Sequence, residues 1–381
     1  MIIQSKNVWL DGCFNPAQIE FDGSRITEIH EYNAHLVDKD YGDQRIVPGF
    51  IDVHTHGAYG FETNDGQQEG LVTWMKRLPR EEGVTAFLPS TITQSKEVLS
   101  RALINVNNVK KSQQEGAEIL GVHFEGPYID AKYKGAQPEE FIRVPDIEEL
   151  KYYQSISDNV IKYITVAPEH DDGMKFIRYC HENGIVVSLG HSNATYEDAA
   201  EAVENGASCM THVFNGMTPL NHRKPGLAGA ALRMRDVYGE MISDGYHVTP
   251  VVMNLFFHAK GPDHGIIITD SLACKGLPKG DYTSGGLAIT VCDDGTARLK
   301  DLGNLAGSTL RMNKGIQIVV EKAGVPFDYA LKAATCNPAK LLGIDDRKGY
   351  LKPGYDADII IIYKDYEVID AYARGSLQKA Y

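Results

Sequence analysis

Apolar and polar positions follow two different patterns along the chain, one near its ends and one between them. Near both ends, short β-favouring stretches are joined by turns, with Asp11-Gly12 and Asp22-Gly23 as hairpin-type dipeptides and a strand predicted over 359–363. Neither end has enough strands to form a stable sheet by itself. We therefore expect a small β-sandwich domain built from residues 1–48 and 350–381 together.

Between the ends, short apolar runs alternate with stretches of helical period. Eight runs predict buried strands, at 50–53, 84–88, 119–124, 163–167, 185–189, 207–211, 240–243 and 266–269. Helices are predicted between most of them, at 71–82, 96–114, 174–183, 196–205 and 250–259, with Thr195 as an N-cap. This alternation predicts an α/β fold, a (β/α)₈ TIM barrel over residues 49–349. An open, doubly wound sheet is the alternative, but no Gly-x-Gly-x-x-Gly loop follows the first strand.

The residues that end these predicted strands carry most of the chemistry. In a barrel, the C-terminal strand ends surround one mouth, which is where active sites lie. The strand-end residues are His54 with His56, Ser90, Glu125, Pro168, His191, His212, Asp244 and Asp270. His54 and His56 point to the same side of a strand because they are two residues apart. Imidazoles and carboxylates converging at one edge indicate a transition-metal site.

Composition and charge narrow the classes of partner. The chain has 381 residues, of which 43% are hydrophobic and 23% charged, as in ordinary globular proteins. Its net charge of −13 argues against nucleic acid or an anionic membrane as the main partner. Six scattered cysteines without a Cys-x-x-Cys pair suit a reducing compartment rather than a thiolate zinc site. No apolar run is long enough to span a membrane and no signal region is apparent, so we expect a cytoplasmic protein.

The series of motifs resembles the amidohydrolase superfamily and, within it, the family of N-acetylglucosamine-6-phosphate deacetylases. The motifs are Pro-Gly-Phe-Ile-Asp-Val-His-Thr-His-Gly at 48–57, His-Phe-Glu-Gly-Pro at 123–127, Gly-His-Ser at 190–192, Thr-His-Val-Phe-Asn-Gly-Met at 211–217 and Thr-Asp at 269–270. The resemblance covers nearly the whole chain. It implies hydrolysis of N-acetyl-D-glucosamine 6-phosphate to D-glucosamine 6-phosphate and acetate, in amino-sugar catabolism, by a homodimer.

The resemblance also implies which residues bind metal. Glu125, His191 and His212 are expected to hold a principal divalent ion, which could be zinc, iron, manganese or cobalt. His54 and His56 are expected to hold a second ion, with Glu125 bridging the two. Each subunit would then carry one or two ions.

A catalytic role for Asp270 is implied in the same way. As general base and acid, it would take a proton from metal-activated water while the hydroxide attacks the acetyl carbonyl, and then protonate the amide nitrogen. Single-metal relatives place a histidine near that carbonyl. Gln137 stands there in this chain, so polarisation of the carbonyl is expected to come from the metal.

Substrate contacts are implied mainly by loops. Arg223 suits bidentate contact with the phosphate, the backbone at 215–216 can add donors, and His247 is expected near the phosphate, in its own subunit or the neighbouring one. The segment 305–307 resembles a wall beside the sugar. The expected substrate-binding residues are Ala136, Gln137, Asn215, Gly216, Arg223, His247, Leu305, Ala306 and Gly307.

Two other functions are compatible with parts of this pattern. One is a different metal-dependent amidohydrolase, acting on another N-acyl compound or on a cyclic amide. The other is a barrel protein of the same superfamily that has lost its metal ligands and serves as a scaffold. The presence of a ligand-type residue at every expected position argues against the scaffold.

Overall fold

The structure, a computed structural model of the protein, describes residues 1–112 and 115–379. The last positions of the predicted helix at 96–114 and of the predicted terminal domain therefore lie outside the described residues. The strands are β1 (Ile2–Leu10), β2 (Cys13–Asp22), β3 (Arg25–Glu31), β4 (Lys39–Asp40), β5 (Arg45–Pro48), β6 (Phe50–Thr55), β7 (Gly57–Ala58), β8 (Phe61–Glu62), β9 (Val84–Pro89), β10 (Glu118–Ile119), β11 (Val122–Glu125), β12 (Ile161–Val166), β13 (Val186–Leu189), β14 (Ala207–Met210), β15 (Tyr238–Ile242), β16 (Gly265–Ile268), β17 (Gly280–Ser284), β18 (Leu287–Val291), β19 (Ala297–Leu299), β20 (Ile359–Ile362), β21 (Val368–Ala373) and β22 (Ser376–Leu377).

Helices occupy the stretches predicted for them and several further ones. They are α1 (Gln68–Glu82), α2 (Lys96–Ser112), α3 (Ile147–Ile156), α4 (Lys175–Glu182), α5 (Tyr196–Glu204), α6 (Gly226–Arg233), α7 (Pro250–His264), α8 (Met312–Gln317), α9 (Phe327–Ala334) and α10 (Cys336–Leu341). Thr195 caps α5 as predicted, in a capping box in which its hydroxyl accepts from Asp198 N while the Asp198 carboxylate accepts from Thr195 N. Across the described residues, the helices are too short or too polar to cross a membrane.

All eight predicted buried strands are confirmed, and they run parallel. One sheet has the order β10-β9-β6, and a second has the order β11-β12-β13-β14-β15-β16. Hydrogen bonds join the two sheets on both sides, since Asp270 N donates to His54 O at 2.8 Å and Thr91 N donates to His123 O at 3.0 Å. The result is a curled parallel sheet in an α/β, TIM-barrel-like domain. Complete closure into a (β/α)₈ barrel stays a prediction, which these two joints favour.

The predicted third strand is interrupted. Its first part, β10, pairs with β9, and its second part, β11, pairs with β12. Gly121 lies at the break, where a Cβ atom would come 2.8 Å from the carbonyl oxygen of Val160 and 2.4 Å from the side chain of Lys162. Because only glycine fits so close to the neighbouring strand, the backbone can change partners here.

Both ends of the chain contribute to one sheet. Its order is β22-β21-β20-β5-β1-β2-β3, and β4 also pairs with β1. Ile359 and Ile361 pack into the core of this sheet, whereas Ile360 and Ile362 belong to the core that surrounds the helices of the central domain. Because neighbouring side chains of a strand point to opposite faces, β20 joins the two cores. The second layer of the predicted sandwich and the domain boundaries at 49 and 350 stay predictions.

A small antiparallel sheet, β17-β18-β19, lies between β16 and α8 and was not predicted from the sequence. Its last strand is bonded to the segment that follows it, because Leu299 N donates to Asn304 O at 2.9 Å and Ala306 N donates to Ala297 O at 3.0 Å. This sheet therefore sets the position of the segment 305–307.

A fully buried ion pair supports the loop that follows β16. Lys275 Nζ lies 2.8 Å from Glu82 Oε1, and both side chains have no solvent-exposed surface. Glu82 Oε2 also accepts a hydrogen bond from Met312 N at 3.0 Å. The same loop bonds to the chain after β6, since Tyr59 N donates to Lys275 O at 2.7 Å and His56 N donates to Ser271 O at 2.8 Å. The ion pair therefore fastens the loop after β16 to the end of α1, and the backbone hydrogen bonds join the same loop to the segment after β6.

We predict that Lys275→Met lowers the free energy of unfolding by about 3–5 kcal/mol, because it leaves the Glu82 carboxylate buried without its cation. Lys275→Met combined with Glu82→Leu should recover at least half of that loss. Urea unfolding monitored by circular dichroism measures both. Lys279→Met is the matched control, because Lys279 pairs with Asp293 on the surface at 2.6 Å. Equal losses for Lys275→Met and Lys279→Met would contradict the buried pair's role.

Candidate metal centre

Three ligand-type side chains meet where the first and eighth parallel strands end. His54 and His56 come from the end of β6, and Asp270 follows β16. His54 Nε2 lies 3.2 Å from His56 Nε2, and Asp270 Oδ1 lies 3.1 Å from His56 Nε2 and 3.5 Å from His54 Nε2. Their ligand atoms are close enough to share one metal ion.

A second group of three meets beside the first. Glu125 ends β11, His191 follows β13 and His212 follows β14. Glu125 Oε1 lies 3.3 Å from His191 Nε2 and 3.2 Å from His212 Nε2, and the two imidazole nitrogens are 3.0 Å apart. One carboxylate and two imidazoles make a ligand set that leaves positions open for water or substrate.

Glu125 connects the two groups. Its Oε1 is 3.2 Å from His54 Nε2, and its Oε2 is 3.3 Å from His56 Nε2. All six residues are buried, with exposed fractions between 0% for His54 and 8% for Asp270. The structure therefore brings the six predicted metal and catalytic residues into one cluster, with Glu125 at its centre.

Three residues of the cluster have a left-handed backbone. His191, His212 and Asp270 have φ values of 46°, 27° and 48°. Such conformations cost about 1–3 kcal/mol each for residues other than glycine, and they persist where the surrounding structure enforces them. Each residue lies just beyond a strand end, so the turn directs the side chain into the cluster instead of continuing the strand.

The imidazole rings are held by their Nδ1 atoms. His191 Nδ1 donates to Tyr133 O at 2.8 Å and His212 Nδ1 donates to Asn215 O at 3.0 Å, so Nε2 is the atom that each ring turns toward Glu125. His54 Nδ1 bonds to a carboxylate oxygen of Glu240 at 2.9 Å. His56 Nδ1 is buried and has no hydrogen-bond partner among the residues that the structure describes.

The charges of the cluster suit a divalent cation. Burial alone would favour the neutral imidazole of His56, but contacts with Asp270 and Glu125 outweigh it and raise the pKa of His56 to about 9. In the same way, the surrounding carboxylates hold the pKa of His54 well above its ordinary value. Burial raises the pKa of Glu125, but the imidazoles more than reverse this and hold it well below its ordinary value. The carboxylates attract positive charge, which protons on the rings or a metal ion can supply.

His123 lies next to the cluster without joining it. Its Nδ1 is 3.3 Å from Ser90 Oγ and its Nε2 is 2.8 Å from Thr165 Oγ1. Burial and the neighbouring His54 hold the pKa of His123 well below its ordinary value, so the ring is neutral. Three predicted strand-end residues, Ser90, Pro168 and Asp244, also lie outside the six-residue cluster.

A cavity of about 320 Å³ opens above the cluster. Eight of the nine predicted substrate-binding residues line it, namely Ala136, Gln137, Asn215, Gly216, His247, Leu305, Ala306 and Gly307. Arg223 is exposed on the loop between β14 and α6, and it is not among the described residues that line the cavity. Among the six cluster residues, His54 lies deepest and does not reach the cavity wall.

Gln137 and His247 are each oriented by a neighbour. Gln137 Nε2 donates to Glu125 Oε2 at 2.7 Å, and Gln137 Oε1 accepts from Thr93 N at 2.7 Å. His247 Nδ1 lies 2.7 Å from Asp244 Oδ2. Burial lowers the pKa of His247, but Asp244 more than offsets this, so its pKa is raised. Gln137 therefore holds Glu125 in place, whereas Asp244 favours the protonated form of the His247 ring at the cavity wall.

Glu240 was not predicted from the sequence as a site residue, yet its carboxylate is hydrogen-bonded to His54 and His212 of the cluster. It is fully buried in the middle of β15 and is the first residue of the strand predicted at 240–243, whereas the candidate residues stand at the C-terminal strand ends. The available signal was the charge itself, since an isolated carboxylate inside a buried strand needs hydrogen-bond partners.

Comparisons with known proteins place these features in a family context. A model of the amidohydrolase family matches residues 45–376. An N-acetylglucosamine-6-phosphate deacetylase of Bacillus subtilis (strain 168) is 42% identical to this chain over 338 residues, covering 88% of this chain and 85% of the relative. An N-acetylgalactosamine-6-phosphate deacetylase of Escherichia coli O157:H7 is 32% identical over 367 residues and covers 96% of both chains.

A solved structure is similar over the full chain. It is a mutant N-acetyl-D-glucosamine-6-phosphate deacetylase from Mycobacterium smegmatis in complex with N-acetyl-D-glucosamine-6-phosphate. It matches this chain with a TM-score of 0.94 at 29% identity, covering 100% of this chain and 99% of the other.

We predict that adding Zn²⁺ to the metal-free protein at pH 7 in weak buffer acidifies the solution. A pKa of about 9 means that His56 carries a second ring proton at pH 7, and the raised pKa of His54 favours the same state there; a ring must release that second proton to bind a metal. An indicator dye measures the release. A His54→Ala/His56→Ala double variant should release fewer protons, and equal release by both proteins would contradict the assignment.

Proposed function

The chain belongs to the amidohydrolase family and is an enzyme of the N-acetylglucosamine-6-phosphate deacetylase type, and on that basis we propose that it converts N-acetyl-D-glucosamine 6-phosphate and water to D-glucosamine 6-phosphate and acetate. The observation that carries this proposal is the cluster of four imidazoles and two carboxylates, joined by Glu125, at the base of a cavity. Such a reaction belongs to amino-sugar catabolism. Homodimeric assembly and a cytoplasmic location stay predictions.

The cluster fits the metal on which this family depends. Glu125, His191 and His212 would hold the principal divalent ion, and His54 and His56 a second one with Glu125 shared between them. A divalent ion held there polarises a carbonyl as a Lewis acid and lowers the pKa of a bound water. Nitrogen and oxygen ligands accept zinc, iron, manganese or cobalt. The two rings anchored through Nδ1 turn Nε2 toward Glu125, and Nε2 of His56 lies 3.3 Å from the other oxygen of Glu125, which supports this assignment.

Asp270 is the residue that we assign to proton transfer. It lines the cavity at 3.1 Å from His56 Nε2. Burial raises its pKa, but His54 and His56 more than reverse the effect, so its carboxylate is ionised at neutral pH. It can therefore accept a proton from the attacking water and return it to the amide nitrogen, which leaves only when protonated.

The phosphate needs a positive partner in a protein of net charge −13. His247 can offer one, because Asp244 raises the pKa of its ring and the residue lines the cavity. The backbone of Asn215 and Gly216 lines the same wall and can add donors. Arg223 is the further phosphate ligand that we propose, and its exposed position requires its loop to fold over the cavity.

N-Acetyl-D-galactosamine 6-phosphate is a second substrate that should be assayed. The Escherichia coli O157:H7 relative is named for the galactose epimer, which differs from the glucose compound only at C4. A single hydroxyl contact in the cavity could therefore decide between the two substrates.

We expect the purified protein, loaded with metal, to release acetate from N-acetyl-D-glucosamine 6-phosphate. Release from the galactose epimer and from unphosphorylated N-acetyl-D-glucosamine should be at least tenfold lower in kcat/KM, and chelation should abolish all of it. An enzyme-coupled acetate assay on this panel, extended to N-acetyl amino acids and cyclic ureides, makes the measurement. Faster turnover of any other member would overturn the proposed substrate.

We also expect Asp270→Asn to lose at least a thousandfold in kcat while its KM changes little, because an amide cannot take up the proton. The metal content of the variant, measured by mass spectrometry, should match that of the wild type and exclude loss of metal as the cause. A variant that retains more than a tenth of the wild-type rate would refute Asp270 as base and acid.

A further inference from the structure

Glu240 is a buried acidic residue that is hydrogen-bonded to two residues of the cluster, His54 and His212. Its side chain is fully buried on β15, the seventh parallel strand. Three groups are hydrogen-bonded to it: His54 Nδ1 at 2.9 Å and His212 N at 3.1 Å on Oε2, and the Tyr163 hydroxyl at 2.6 Å on Oε1. A buried carboxylate with three partners is well accommodated, because each bond offsets part of its desolvation cost.

The contact with His54 determines which ring nitrogen faces the cluster. A carboxylate oxygen accepts hydrogen bonds, so Nδ1 of His54 carries the proton that it donates to Glu240. When His54 carries only this proton, Nε2 has its lone pair available, and Nε2 is the atom that lies near His56, Asp270 and Glu125. Glu240 thus holds His54 in the one tautomer that can bind a metal through Nε2.

The four histidines of the cluster differ in this support. His191 and His212 each bond through Nδ1 to a neutral backbone carbonyl. His54 bonds to a carboxylate, and the Nδ1 of its neighbour His56 is unpartnered among the described residues. In the half formed by His54 and His56, the bond from His54 to Glu240 is therefore the one Nδ1 contact that orients a ring, among the described residues.

We propose that Glu240 is a positioning residue that sets how tightly the His54–His56 half of the centre retains its ion. This inference rests on the proposed metal-dependent function and deepens it. The negative charge of Glu240 makes the His54 ring a stronger ligand, and its hydrogen bond keeps the ring aimed at the cluster. Through His212 N, the same oxygen atom also touches the other half, where the ring itself is oriented by Asn215 O instead.

Glu240→Gln tests the proposal with little change of shape. The amide oxygen can still accept from His54 Nδ1 and His212 N, while its NH₂ group can donate to the Tyr163 hydroxyl, so the variant chiefly removes the charge. Loss of such a supporting carboxylate weakens metal binding by about 10–100-fold. We expect the weaker of two Co²⁺ dissociation constants, from titration of the metal-free full chain, to rise by that factor. The tighter constant should change less than about threefold.

Tyr163→Phe is the matched control. It removes one of the three groups bonded to Glu240 but keeps the carboxylate and its contact with His54. Both Co²⁺ constants should stay within about threefold of the wild-type values. Thermal unfolding of the metal-free proteins shows whether either variant has lost its fold, and a folded Glu240→Asp variant gives a second measurement with the charge retained. Its weaker constant should lie closer to wild type than that of Glu240→Gln.

Three outcomes would overturn the inference. In the first, the weaker constant of Glu240→Gln is unchanged; in the second, both constants rise by the same factor, which indicates a general structural role. In the third, the wild type takes up a single ion. The third outcome leaves the proposed deacetylation in place, because that proposal needs only the ion at Glu125, His191 and His212. Failure of the proposed substrate, in turn, is detected by acetate release and does not alter these binding constants.

Discussion

The charge of the Glu125 carboxylate is the constraint on which the structure of the site depends. It is almost fully buried, and its two oxygens lie within 3.3 Å of the Nε2 atoms of His54, His56, His191 and His212. Burying an isolated carboxylate costs several kcal/mol of desolvation free energy per ion even after relaxation, so its position requires positive charge around it. The folded chain places four imidazoles around this carboxylate, and that arrangement suits the divalent ion that we propose there.

The rest of the domain makes that arrangement possible. Parallel strands that end at one edge bring together side chains that are up to 216 residues apart in the chain, as His54 and Asp270 are. Backbone carbonyls and Glu240 hold the rings, and hydrogen bonds from the loop after β16 hold the segment around His56. The buried pair of Lys275 and Glu82 fastens that loop to α1. The cluster is therefore held both by hydrogen bonds to its own residues and by an ion pair that fixes the loop next to it.

Much of the fold and of the candidate site could be predicted from the sequence, and the failures have physical reasons. The eight strands were detectable because each is a short apolar run between polar stretches, and the ligands because they follow those runs. The interruption at Gly121 depends on contact with Val160 and Lys162, which local pattern does not contain. Glu240 escaped notice because it begins a predicted strand, whereas the ligand-type residues were sought at C-terminal strand ends. Arg223 was selected for its chemistry, and its exposed position depends on the course of a loop that no periodicity describes.

The central claim is that Glu125, His191 and His212 share a metal ion. Anomalous diffraction from crystals of the metal-loaded protein, collected above and below the absorption edge of the bound metal, tests it directly. The account predicts a strong anomalous peak at the base of the cavity, about 2.0–2.2 Å from one Glu125 oxygen and from Nε2 of both histidines. A metal located elsewhere on the chain, with no peak between these three side chains, would contradict it.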